Sequence, residues 1–238
     1  MLCRRLSEPS KLLTVASEFG RGTVPYSRIV KKPAQLLVNQ HRDLVYFNYQ
    51  LVHLRINEYV AAIHSKGSPL RMCWAFIDGT KQYVARPSAR ENPASEYENL
   101  QRALFNGHPR RHCFNWQSLQ APDGLIVSLF GPLEGRRHDY SMLNLSGLVD
   151  LMENDQSGIF CGKIIYGDPA YRCSRFICCP SIDTSTIAVK FNRDMNSVRE
   201  SVEWGFGRVK TQWEFLNWDK KNRARHTAVG NLFFVGVL

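Results

Sequence analysis

Three acids stand out by the company they keep. Asp78 closes the apolar run 72–77 and precedes Gly79-Thr80; Asp168 follows the apolar run 163–166 and precedes Pro169; Glu203 lies in the periodic segment 198–213. Hard oxygen ligands of this kind suit Mg²⁺, which takes a few carboxylates together with waters and substrate phosphates. Two such ions roughly 4 Å apart can activate an attacking water and stabilise the leaving oxygen when a phosphodiester is cut. Asp78 and Asp168 are 90 residues apart and Asp168 and Glu203 are 35 apart, so only a fold can assemble them. Each acid also has a plainer reading. Asp78 before Gly-Thr and Asp168 before Pro are ordinary turn residues. Glu203 could be a solvated residue paired with Arg199 or Lys210, a contact typically worth well under about 1 kcal/mol.

The elements that must position these acids follow from the hydrophobic pattern. Val52, Ile56, Tyr59, Val60 and Ile63 recur at helical spacing and predict a helix across 43–64. The run 72–77 predicts a buried strand that ends at Asp78, where the chain emerges at the sheet edge. Segments 112–119 and 125–130 predict a hairpin around Ala121-Pro122-Asp123-Gly124. A helix starts at Asp139, with Met142, Leu145, Val149 and Met152 as its buried face. Asp139 is equally a helix cap, a role typically worth about 1 kcal/mol. His138 before it could orient a water or phosphate, or be a partly exposed structural histidine.

Residues 163–166 predict a further strand, and the proline after Asp168 pushes that aspartate toward extended geometry at the strand's end. The last helix opens on a capping box, Ser197-Val198-Arg199-Glu200. Its stripe is Val198, Val202, Phe206, Val209 and Trp213. At about 100° per residue, Glu203 sits on the flank of that stripe with Arg199 and Lys210, while Glu200 points toward solvent.

The whole chain sets the context. Its 238 residues, 44% hydrophobic and 22% charged, suffice for one substantial core and exclude a disordered or fibrous chain. No apolar run approaches the roughly 20 residues that cross a bilayer, and the amino terminus lacks a secretory pattern, so a soluble, intracellular protein without a membrane partner is expected. A net charge of +10 favours a polyanion, nucleic acid first. Arg110-Arg111, Arg136-Arg137, Arg208 with Lys210, and the 220–225 run could track phosphates, and Trp204, Trp213 or Trp218 could stack on bases, although Trp213 at helical spacing reads as core. Seven scattered cysteines point to reduced thiols. Residues 1–43, rich in Pro, Arg, Ser and Lys, read as a poorly packed lead-in.

Four blocks in order carry a resemblance: Phe76-Ile77-Asp78-Gly79-Thr80; Gly131-Pro132 with Gly135-Arg136-Arg137-His138-Asp139; Gly167-Asp168-Pro169-Ala170-Tyr171; and the nine residues from Val202 to Lys210. From about 70 to 215 the chain resembles the PIF/Harbinger-type transposases and their domesticated nuclease-like relatives. The resemblance implies an α/β fold with a ribonuclease-H-like mixed sheet flanked by helices, holding a DDE triad. Asp78, Asp168 and Glu203 match the catalytic acids, and Asp139 matches a further acid of the metal site. Two divalent ions, Mg²⁺ or Mn²⁺, and DNA as substrate follow from the same resemblance.

It divides the chain into an extension, 1–69, mainly helical or irregular with one helix leading into the core, and an endonuclease domain, 70–238. The apolar stretch 235–238 reads as an interrupted, truncated final helix. Pro169 and Ala170 stand where Ser and Gly are usual, and Trp204-Gly205 where Arg and a small residue are usual. The first 70 residues lack a three-helix recognition pattern, so a separate sequence-reading domain is either missing or supplied by a partner subunit. Nuclear residence is expected for a eukaryotic source. A decayed or domesticated copy that binds DNA or a protein without cutting is the alternative, and a generic basic adaptor a third reading.

Overall fold

The computed structural model describes residues 1–88 and 99–238, with the side chains of 201–204 and 221 outside the description. Among the described residues a six-stranded sheet forms the centre. Its strands are β1 (Cys73–Tyr83), β2 (Phe105–Asn106), β3 (Arg111–Gln120), β4 (Ile126–Glu134), β5 (Ile164–Tyr166) and β6 (Ile177–Cys178). β1 lies between an antiparallel β3 and a parallel β5, and β6 runs parallel beyond β5. β4 and the short β2 pair antiparallel with successive parts of β3. The predicted hairpin is β3–β4, with Ala121 N donating to Leu125 O at 2.9 Å across its turn.

β1 does not end at Asp78. Its pairing with β5 stops at Phe76, but its pairing with β3 continues to Tyr83, and Asp78 lies opposite Ser118. The antiparallel partner keeps the strand extended past the point where the parallel one ends. Asp78 is therefore a mid-strand residue.

Helices cover both faces. α4 (Tyr49–Ser65), α6 (Asp139–Ser146) and α7 (Leu148–Glu153) pack Val52, Ile56, Leu143 and Met152 around Trp74, Ile77 and Ile165. The first half of α8 (Thr186–Gln212) lays Met195 and Val198 against Phe76 and Tyr166. α4 occupies most of the predicted helix, and its Asn48 side chain accepts from Leu51 N at 3.1 Å as the cap.

Three expectations need correction. Residues 1–43 are not a loose lead-in: α1 (Leu2–Ser7), α2 (Leu12–Glu18) and α3 (Thr23–Tyr46) bury Leu6, Val15, Tyr26, Val30 and Ala34 against Trp116, Leu129 and Phe233. Pro33 sits inside α3, where a proline ordinarily argues against a helix, so the four-residue spacing of Tyr26, Val30 and Ala34 was masked. The helix at Asp139 is two helices, broken at Gly147 with φ of 64°, and Leu145, expected on the buried face, is exposed while Leu143 is buried instead. The last long helix starts at Thr186, not Ser197: Ser185 caps it by accepting from Ala188 N at 3.3 Å, and Ala188 and Met195 extend the buried stripe backward.

α9 (Val229–Val237) packs beside α3 with Leu232, Phe233 and Phe234 buried. The remaining short helix, α5 (Leu100–Leu104), adds Leu104 to a small cluster with Val84 and Val229. Among the described residues no helix is long and apolar enough to cross a membrane, and all seven cysteines are free thiols.

Candidate functional site

Strand register brings the first two acids level. Phe76 pairs with Tyr166 across the parallel β1–β5 ladder, and Asp78 and Asp168 each follow two residues later, just past the end of that ladder. Crevices beyond the carboxyl ends of parallel strands are where open α/β sheets place ligands. Asp168 has the extended geometry its proline imposes, φ −76° and ψ 169°, and its Oδ1 accepts from Ala170 N at 3.0 Å. That contact opens a short 3-10 turn, Pro169–Tyr171, which folds Tyr171 back into the core.

Alternation along β1 decides where each group faces. Phe76, Asp78 and Thr80 share the side covered by α8. Phe76 meets Met195 and Val198, Asp78 Oδ1 accepts from Arg199 Nη2 at 3.2 Å, and Thr80 Oγ1 accepts from Lys210 Nζ at 2.8 Å. Lys210 also donates to Lys81 O at 3.1 Å, and burial holds its ammonium below the ordinary lysine range. The flank of α8 assigned to Arg199 and Lys210 thus faces β1, with Arg199 contacting the first acid itself.

Gly79 turns the opposite way. A Cβ there would lie 3.1 Å from Asp139 Oδ1 and 3.5 Å from the Tyr171 hydroxyl, so the missing side chain lets the third aspartate close on the strand. Asp139 stands in the first turn of α6, behind an N-cap His138 that makes no side-chain capping bond. Burial raises the Asp139 carboxyl above its usual range, and the charge of Asp168 adds to the rise. His138 is exposed.

Tyr171 is the residue that sequence reasoning quoted without giving it a role. It is 1% exposed, and its hydroxyl has no hydrogen-bond partner among the described residues. Burial pushes its phenol well above the ordinary value, and the charges of Asp139, Asp78 and Asp168 push it further; its hydroxyl and Asp139 Oδ1 meet at the same Gly79 position. The signal was its place three residues after Asp168. Beside it, Arg172 lies over the Tyr140 ring at 4.6 Å, with φ of 61°.

Glu203 is in α8, one turn beyond Arg199, and its side chain lies outside the described residues. Among the described residues no group of three or more His, Cys, Asp or Glu side chains is arranged to hold a metal ion. The facing explains this: Asp78 is turned toward α8 and Asp139 meets the other side of the same strand. The donor chemistry nevertheless fits a divalent cation. Asp139 and Asp168 are like charges in a partly desolvated place, and an unpartnered buried hydroxyl adjoins them.

A family model described as DDE superfamily endonuclease matches residues 77–235. The chain belongs to that family. No curated protein and no solved structure matches it. The family match spans Asp78, Asp139, Asp168 and position 203. It begins within β1 and ends within α9.

Of the basic clusters, some are neutralised within the fold. Arg136 and Arg137 both donate to Glu134 Oε2, at 3.0 and 3.2 Å, and Arg111 pairs with Asp219. Trp213 is structural, as its spacing indicated, with Nε1 donating to Gly236 O at 3.1 Å. The Trp204 side chain lies outside the described residues.

Proposed function

We propose that the protein is a divalent-metal-dependent DNA endonuclease of PIF/Harbinger-type transposase descent, built on a ribonuclease-H-like core at 70–238. Strand order and direction support the fold reading: β4-β3-β1-β5-β6, with β4–β3 and β3–β1 antiparallel and β1–β5 and β5–β6 parallel. The observation that carries the functional reading is the levelling of Asp78 with Asp168 on adjacent parallel strands, with Asp139 packed behind them at Gly79. Asp78, Asp168 and Glu203, with Asp139, would hold Mg²⁺ or Mn²⁺. Bound there, such ions supply an activated water and neutralise charge on the departing 3′ oxygen.

The chain's own residues do the rest. Arg199 orients the Asp78 carboxylate and offsets its charge, and Lys210 ties α8 to the strand carrying it. Tyr171 keeps water from the back of the acid cluster. The net charge of +10 favours approach of a phosphate backbone to the molecule. The test is nicking of supercoiled plasmid with Mn²⁺ or Mg²⁺. Wild type should nick, Asp78→Asn and Asp168→Asn should lose at least about 10²-fold, and chelation should abolish the reaction. Salt-sensitive DNA binding with no metal-dependent nicking would instead favour a copy that binds without cutting, and equal nicking by Asp78→Asn would reject the site.

A further inference from the structure

A second cationic feature lies away from the acids, where α1–α3 meet the segment leading into α9. A cavity of about 380 Å³ opens there, lined by Arg5, Lys11, Lys31 and Arg223 over an apolar floor that includes Val30 and Leu232. Neither Asp nor Glu lines it among the described residues. Four cations around one concavity repel one another unless an anion enters.

Arg5 makes the cavity a built site. It is only 8% exposed, and its guanidinium lies 3.9 Å from the Phe215 ring centre. Nη1 donates to Ser10 O at 2.6 Å, and no carboxylate pairs with Arg5, Lys11, Lys31 or Arg223 among the described residues. A guanidinium has five N–H donors, so most of its bonding capacity is left for a ligand. Buried charges are normally paired, and burial already depresses the protonation of this one. Stacking on Phe215 and the bond to Ser10 fix the fork in place, which suits an oxyanion.

We propose that this cavity binds a nucleotide: its phosphate on Arg5, Lys11, Lys31 and Arg223, its sugar or base on the apolar floor. A volume near 380 Å³ is in the range of small-molecule sites. A DNA strand held by the proposed endonuclease and a free mononucleotide offer the same chemistry. The first source rests on the functional reading above and would make the cavity a substrate anchor remote from the acids.

Lys11, Lys31 and Arg223 are exposed, so the two lysines can be replaced without touching the core. The experiment uses the full chain in EDTA, so that its readout does not depend on cleavage. Binding of a fluorescein-labelled 12-nucleotide single strand is followed by anisotropy, and binding of dAMP by thermal shift. Lys11→Gln/Lys31→Gln should weaken oligonucleotide binding at least about tenfold and lower its salt slope by about one to two. A control pair remote from the cavity, Lys66→Gln/Lys190→Gln, removes the same charge and should weaken it far less.

If the variant loses the dAMP shift but keeps oligonucleotide affinity, the nucleotide site stands and its source is the free nucleotide. Unchanged behaviour toward both ligands overturns the proposal, as does an equal loss in the control pair. Absence of nicking by wild type, with the variant still losing binding, would sink the endonuclease reading and leave this site in place.

Discussion

Tyr171 carries the clearest trade between stability and function. An unsatisfied buried hydroxyl costs about 1–3 kcal/mol, yet this one sits beside Asp139 at Gly79, where the charges of three aspartates are felt. Tyr171→Phe should therefore leave stability unchanged or raise it in urea denaturation, while reducing metal-dependent nicking. Tyr171→Ala, which empties a place in the core beside Ile77 and Phe176, should cost about 3–5 kcal/mol. A neighbour tests packing alone. At Gly167 a Cβ would fall 2.6 Å from Ile77 Cγ2 and 3.1 Å from Tyr171 Cδ2, so Gly167→Ala should destabilise by about 1–3 kcal/mol. A fully stable Gly167→Ala protein would show that the turn before Asp168 has room to spare.

Among elements, α8 matters most, because it faces β1 with Arg199 and Lys210 and covers Phe76. Its glycine at 205 looks like a weak point, since Gly in a helix interior costs up to about 1 kcal/mol relative to Ala. The contact with β3 reverses that expectation: a Cβ at 205 would collide with the Gln120 side chain, which is itself fixed by donating to Ser118 Oγ at 3.0 Å. Gly205→Ala should lower the thermal midpoint, whereas a purely local helix effect would raise it. The backbone of α8 also carries Glu203, so a shift of this helix should weaken nicking as well.

For the molecule as a whole, the amino-terminal helices complete a core. Leu6, Tyr26 and Val30 share one cluster with Trp116 of β3, Leu129 of β4 and Phe233 of α9, and Trp116 stacks on Phe233 at 4.6 Å between ring centres. Removing residues 1–43 would expose these rings. The truncated chain should aggregate, or lose the single cooperative transition of the full protein, by size exclusion and thermal unfolding. A monomeric truncation with an unchanged midpoint would mean that α1–α3 contribute nothing to the sheet's stability.

By itself the sequence determined the local elements with a strong period or a hard stop: α4, the β3–β4 hairpin, the extended residue at Asp168 and the late stripe of α8. These rest on side-chain spacing and on proline and glycine geometry, which act within a few residues. Tertiary structure decided the rest. The length of β1 past Asp78 depends on a partner strand more than thirty residues away, and the facing of Asp78 toward Arg199 and of Gly79 toward Asp139 depends on that strand's continuation. The helices of 1–43 were hidden because Pro33 and short apolar clusters read as breaks until α9 and β4 supplied the surface they bury against. Spacing within one segment can say which residues share a side. Only packing between segments says what that side meets.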